Sequence, residues 1–196
     1  MNNFKWLNES KKQESSGKIT LMATEKSDFF RNPCAVAKDG ITPDSLGNAP
    51  FYYTEVAGDF VMKAKVSLDF KDIYDAAALM VMESDEVWAK ICFELTDFGP
   101  NAVVSVVTNQ LSDDANGSVI KDKQLWLQIT RVGKAFAFHY STDGEKFLML
   151  RVFSLPVSET IKVGMLAQSP TGKGGERNFE GFTMEQKTVN NIRFGK

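Results

Sequence analysis

The stretch Gly58-Asp59-Phe60-Val61-Met62-Lys63-Ala64-Lys65-Val66-Ser67-Leu68-Asp69-Phe70 alternates with a period of two. Phe60, Met62, Ala64, Val66, Leu68 and Phe70 fall on one side and Lys63, Lys65, Ser67 and Asp69 on the other. Successive side chains of an extended chain point to opposite faces, so this is a strand with one face in a core and one facing out. Similar runs recur outward from it: K-I-T-L-M-A-T, A-P-F-Y-Y-T-E-V, A-A-A-L-M-V-M, E-V-W-A-K-I-C-F-E-L, A-V-V-S-V-V-T, Q-L-W-L-Q-I-T, K-A-F-A-F-H-Y-S, F-L-M-L-R-V-F, I-K-V-G-M-L-A-Q and N-F-E-G-F-T-M-E. No apolar pattern of helical length competes with them. Asp143-Gly144 and Gly133 fall between adjacent runs and supply the positive φ of tight hairpin turns. Many short strands joined by tight turns predict an all-β fold of two packed antiparallel sheets.

Composition sets the class. The 196 residues are 43% hydrophobic and 24% charged, which is ordinary for a globular chain and enough for one domain spanning 1–196, with 187–196 as a C-terminal edge strand or tail. The formal net charge is -2 with scattered Lys and Arg, so nucleic acid is not an expected partner. No run is long and apolar enough to cross a bilayer, and the expectation is a cytoplasmic protein with no membrane partner. Cys34 and Cys92 form neither a disulfide framework nor a zinc set and are read as reduced thiols. The triplets beginning at Asn8 and Asn116 match the glycosylation acceptor pattern, which has meaning only in a secreted chain. Two segments lack alternation, Lys38 to Ala49 and Gln110 to Lys123, and are read as long surface loops.

Strand parity selects candidate site residues. In Asp85 to Leu95, with Val87, Ala89, Ile91, Phe93 and Leu95 turned inward, Trp88, Lys90, Cys92 and Glu94 face outward. The same reasoning turns Trp126, Gln128 and Thr130 outward opposite Leu125, Leu127 and Ile129, and His139 opposite Phe138. The ordered blocks S-D-F-F-R-N, A-P-F-Y-Y-T-E-V-A-G-D-F, Y-D-A-A-A-L-M-V, V-W-A-K-I-C-F-E, W-L-Q-I-T-R, H-Y-S-T-D-G-E-K-F and V-G-M-L-A-Q-S-P resemble the regulation-of-enolase protein family, from about Phe4 to about Met184. The resemblance implies a concanavalin A-like jelly-roll sandwich of the lectin and glucanase superfamily, and a kinship of architecture does not carry chemistry with it. The chain departs from the family where relatives carry a tryptophan and it has Ser112-Asp113-Asp114-Ala115, which removes an aromatic platform from that loop.

In such a jelly roll the outer surface of one sheet is a concave groove. The expected ligand site is therefore a groove floored by Ala76, Ala78 and Met80 and lined by Asp75, Trp88, Lys90, Glu94, Trp126, Gln128 and His139, where an indole covers a sugar ring and polar groups pair with its hydroxyls. The competing reading fills the groove with a crossing loop, half-buries Trp88 and pairs Lys90 with Glu94. No catalytic residue is assigned: His139 has no identifiable orienting partner, and Glu94-Leu95-Thr96-Asp97-Phe98 does not match the E-x-D-x-x-E arrangement of glucanases of this fold. Asp113, Asp114 and Asn116 lack a full calcium ligand set, and the glycines of P-T-G-K-G-G-E-R-N lack Walker spacing, so no metal and no cofactor are expected. Arg131 shares parity with the core and is read as a structural ion pair at the rim. The sequence reading is a non-catalytic protein that binds a carbohydrate or small metabolite on the concave face. Its alternatives are a protein-interaction module of the enolase-regulating type and a glycoside hydrolase.

Overall fold

The computed structural model describes residues 3–32 and 45–196. Its strands are β1 (Lys5–Leu7), β2 (Lys12–Ser15), β3 (Lys18–Ala23), β4 (Phe29–Phe30), β5 (Leu46–Gly47), β6 (Phe51–Ala57), β7 (Phe60–Leu68) and β8 (Ala76–Ser84). They continue as β9 (Val87–Leu95), β10 (Asn101–Asn109), β11 (Leu111–Val119), β12 (Gln124–Val132), β13 (Ala135–Ser141), β14 (Leu148–Ser154), β15 (Thr160–Gln168) and β16 (Gly175–Glu185). Two seven-stranded antiparallel sheets stack as a sandwich: a first sheet in the order β1-β6-β15-β8-β9-β10-β11 and a second in the order β14-β13-β12-β7-β16-β3-β2. β4 and β5 pair as a small separate ribbon. Each alternating run named above overlaps one of these strands.

The core between the sheets is built from the predicted inward faces. Phe60, Met62, Ala64 and Val66 of β7 meet Ala77, Leu79 and Val81 of β8 and Ala89, Ile91 and Phe93 of β9, all fully buried. Burying one such large side chain stabilises the fold by about 1.5–3 kcal/mol, so the pattern of period two is the main driving force for this architecture. The turn between β12 and β13 is Gly133 and Lys134, with Gly133 at φ 58, as the hairpin reading requires.

Gln110 to Lys123 is not a loop. Leu111–Val119 forms β11 at the edge of the first sheet, with Val106 opposite Asp114 and Ser105 opposite Ala115. An edge strand is paired on one side only, and polar residues with weak strand propensity are acceptable there because they deter further pairing. Of Lys38 to Ala49, residues 38–44 lie outside the described residues, as does Cys34, and Leu46–Gly47 is β5.

An ion pair ties the sheets at one end. Arg177 of β16 and Asp75, just before β8, are each 1% exposed, with Nη2 to Oδ1 at 2.8 Å. Arg177 also donates to the carbonyls of Ala76 and Gln168, and Asp75 accepts from Ser169 and from the amides of Lys71 and Asp72. A buried charge is tolerated only when paired and hydrogen-bonded this completely. Arg131, 2% exposed, pairs with no acid among the described residues. Its guanidinium donates to the carbonyls of Gly133, Glu159 and Ser158 and lies 5.8 Å from the Phe136 ring centroid. Carbonyls of turning chain at the strand end supply what the expected acid would have supplied.

Candidate functional site on the outer face of the first sheet

Register maps the outer face of the first sheet row by row. Gln168 of β15 lies beside Ala76, then Glu94, then Ala102. The next row runs Leu166, Ala78, Cys92, Val104 and Asn116, and the one after it Gly164, Met80, Lys90, Val106 and Asp114. Ala76 of β8 and Ala102 of β10 flank Glu94, which leaves it room above the sheet, whereas Lys90 stands between Met80 and Val106.

This face is covered, and the cover comes from far away in sequence. Phe29, Phe30, Ala49 and Phe51 join Ala76, Ala78, Met80, Met82, Trp88, Cys92, Val104 and Leu166 in a second buried apolar cluster. Trp88 is 1% exposed, meets Phe29 edge-on at 5.9 Å between centroids and donates from Nε1 to the Asp85 carbonyl. The indole is thus a core residue and not an open platform for a sugar ring. A segment crossing the groove, the competing expectation, is what the structure shows.

Lys90 reaches beneath that cover. Its Nζ donates to Asp28 Oδ1 and Gln168 Oε1, both at 2.7 Å, and its partner is therefore Asp28 rather than Glu94. Asp28 also holds the entrance of the cover, accepting from the Phe29 amide through Oδ1 and from the Asn48 and Ala49 amides through its carbonyl. Gln168 turns its Nε2 to the Tyr74 carbonyl at 3.1 Å and to Glu94 Oε2 at 3.3 Å. The four side chains of Asp28, Lys90, Gln168 and Glu94 form one connected polar network.

Burial works against the charge on Lys90, but the Asp28 carboxylate hydrogen-bonded to it holds its pKa above the ordinary lysine value. Burial pushes Glu94 well above the usual carboxylate range, with Lys90 opposing and Asp114, Asp28 and Asp97 adding to the shift. Asp114 is exposed as a residue, yet desolvation of its carboxyl raises it too, against the pull of Lys90. The Cys92 thiol, buried beside them, is also pushed up by desolvation.

Above this network opens a pocket of about 220 Å³ lined by Asp28, Phe30, Tyr74, Lys90, Glu94, Asp97, Val106, Asp114, Asn116 and Gln168. Its floor is buried and its rim, Asp97, Asp114 and Asn116, is exposed. Tyr74, with φ 68, brings the chain into the wall. The volume is below the roughly 300–1,000 Å³ of sites for drug-sized ligands, which leaves room for one small metabolite or one terminal sugar ring.

Of the expected site residues, only Lys90 and Glu94 line this pocket. Asp75 is consumed by Arg177. Trp126, Gln128 and His139 belong to the second sheet and face outward on the opposite side of the molecule, because parity defines a face only relative to its own sheet. There Trp126 is covered by Gly144 and Gly181, and Gln128 donates to the Gly195 carbonyl at 3.3 Å. His139, fully buried, meets the Arg193 carbonyl through Nε2 at 3.0 Å. Asp113 faces Arg151 at 3.1 Å, away from Asp114 and Asn116, and among the described residues no group of three or more His, Cys, Asp or Glu is placed to hold a metal. Asp28 and Gln168 were missed, while Asp97, Asp114 and Asn116 were weighed only as a glucanase acid and as calcium ligands and not as part of this pocket. Asp28 and Gln168 stand in S-D-F-F-R-N and V-G-M-L-A-Q-S-P, blocks that carried the family resemblance but gave no hint of meeting Lys90.

Residues 6–187 match the family described as "Protein of unknown function (DUF1349)". The chain belongs to that family. It is 30% identical over 183 residues to "Regulation of enolase protein 1" of Saccharomyces cerevisiae, covering 91% of this chain and 87% of the relative. A functionally unknown protein from Saccharomyces cerevisiae superposes with a TM-score of 0.85 at 26% identity, over 96% of this chain and 98% of that one. The carbohydrate binding module CBM66 from Bacillus subtilis superposes at 0.60 with 11% identity, over 92% and 95%. A xylan beta-1,4-xylosidase from Bacillus halodurans superposes at 0.68 with 11% identity, over 88% of this chain and 33% of the enzyme. At these low identities the last two show the sandwich fold alone.

Proposed function

We propose that this DUF1349 member, built as one domain and working in the cytoplasm, is a non-catalytic binding protein for a carbohydrate or other small hydroxyl-rich metabolite. The observation that carries this reading is the Asp28-Lys90-Gln168-Glu94 network, buried as the floor of a pocket whose rim is Asp97, Asp114 and Asn116. A ring of hydroxyls offers both donors and acceptors. The rim supplies carboxylate acceptors and an amide, and Glu94, inclined to hold its proton, supplies a donor. The fold shared with a carbohydrate binding module is compatible with this use.

Catalysis is not part of the proposal, because Glu94 is engaged by Gln168 within the floor network and the sequence lacks the E-x-D-x-x-E arrangement of glucanases of this fold. A second reading is a regulatory docking module, favoured by the relative named for regulation of enolase and by Phe98, 81% exposed on the turn beside Asp97.

The test is a thermal-shift and calorimetric screen of neutral sugars and polyols, with Asp114→Asn and Asn116→Ala as pocket variants. Both positions are exposed, so the variants should fold. The proposal expects at least one sugar to raise the melting temperature of the parent and to lose about tenfold or more in affinity in each variant. It is wrong if no sugar binds, or if the variants bind as the parent does; Phe98→Ser separating an enolase interaction from sugar binding would support the second reading.

A further inference from the structure

A larger cavity lies on the opposite side of the molecule, about 890 Å³ in volume, on the outer face of the second sheet. Its floor is Val61 and Lys63 of β7 and Gln128 of β12. One wall is the β13–β14 connection with Phe147 and Met149, and the other is the turn Asn191 to Lys196. Two hydrogen bonds seat that turn, from Gln128 Nε2 to the Gly195 carbonyl and between His139 Nε2 and the Arg193 carbonyl. Gly195, at φ 68, lies so close to Gln128 and His139 that a Cβ there would collide with both. Behind it, His139 Nδ1 is buried with no hydrogen-bond partner among the described residues.

The charges around the cavity are unbalanced. Lys63, Lys146, Arg193 and Lys196 line it and take part in no ion pair among the described residues. Of the acids that line it, Glu185 pairs at 2.7 Å with Lys187, which lines the cavity too, and is also drawn to the charge of Lys63. Asp143 is turned into its own hairpin, accepting from Ser141 and from the amides of Glu145 and Lys146, which draws its pKa down to about 2. Asp143 stays ionised, so the lining side chains set five cations, Lys63, Lys146, Lys187, Arg193 and Lys196, against three acids, Asp143, Glu145 and Glu185. The site is thus locally positive on a chain whose formal net charge is -2. Phe147, Met149 and Phe194, the last 67% exposed, add apolar surface beside the cations.

We propose that this cavity is a second binding site, for a small phosphorylated metabolite whose phosphate meets Lys63 and Arg193 and whose carbon body lies on Phe147, Met149 and Phe194. Lysine and arginine are the usual phosphate partners, and the volume lies within the range of small-molecule sites. A nucleic acid would need a positive track across the surface, whereas these cations close around one cavity. His139 and Gln128 are positioning residues, since they hold the carbonyls on either side of Phe194 and so set the wall that presents Arg193. This site is independent of the pocket on the first sheet.

The experiment is calorimetric titration of the full chain with phenyl phosphate, inorganic phosphate and phenol at low salt. Each is repeated on Lys63→Gln/Arg193→Gln and on the charge-matched control Lys5→Gln/Lys71→Gln. Phenyl phosphate should bind saturably and more tightly than either fragment, about tenfold or more weakly in the cavity variant, and unchanged in the control. Raising the salt should weaken it. The proposal is overturned if phenyl phosphate shows no saturable binding, if the cavity variant and the control behave alike, or if phenol binds as tightly as phenyl phosphate. Melting curves of both variants establish that they are folded.

Discussion

Replacing Lys90 with methionine tests the network that organises the first pocket. The side chain keeps its approximate length, so the apolar neighbours Met80 and Val106 stay packed, and what is lost is a charge with two contacts of 2.7 Å. Asp28, 3% exposed, would be left as a buried carboxylate without its cation. Breaking a buried pair by removing one partner costs about 3–5 kcal/mol, most of it from the stranded charge. For a chain of this length each kcal/mol moves the melting temperature by roughly 2–4 °C, so Lys90→Met should melt roughly 6–20 °C below the parent. In Lys90→Met/Asp28→Asn the stranded charge is gone, and the asparagine oxygen can still accept from the Phe29 amide. The double variant should therefore recover at least half of the loss. The assay is calorimetric or circular-dichroism melting at neutral pH. A single variant within a couple of degrees of the parent, or a double variant as unstable as the single, would refute the reasoning.

Three further outcomes follow from the structure. Glu94 has a folded pKa above its ordinary value of 4.5, so the stabilisation tied to its proton is complete below that value and lost as pH rises through the folded pKa. Glu94→Gln should therefore gain melting temperature over the parent in neutral and weakly alkaline buffer, and match it in acid. Burial lowers His139 below 6.5, so its contribution has the opposite sign: stability is present above 6.5 and lost as pH falls toward the folded pKa, which hydrogen exchange at Arg193 to Gly195 should register first. A Cβ at Gly164 would run into the backbone of Tyr52 and Tyr53 on β6, so Gly164→Ala should cost about 1–3 kcal/mol in denaturant unfolding by forcing β6 and β15 apart.

Parity was enough to place Trp88, Lys90 and Glu94 together on the outer side of β9, because alternation is a local property of an extended chain. What lies over them was not legible: Phe29, Phe30 and Ala49 are ordinary apolar residues of short segments, and only tertiary contact reveals that they cap this face. Trp126 and His139 were drawn into the same groove because an outward side chain looks the same from either sheet, and nothing in β12 or β13 alone says which sheet holds them. The S-D-D-A-N-G-S run looked like a loop on propensity, and its strand character comes from pairing with the apolar β10. Asp114 and Asn116 reach the pocket only through that pairing.

The partners of Lys90 lie 62 and 78 residues from it along the chain. Assembling such distant segments is a late and entropically costly event in folding. The floor of the first pocket therefore comes into being only when the molecule is nearly complete, and no fragment or partly folded chain offers it. A ligand of that pocket binds the native state alone and opposes every route of unfolding that first separates Asp28 or Gln168 from β9. Occupancy of the proposed site would then lengthen the time each molecule survives proteolysis.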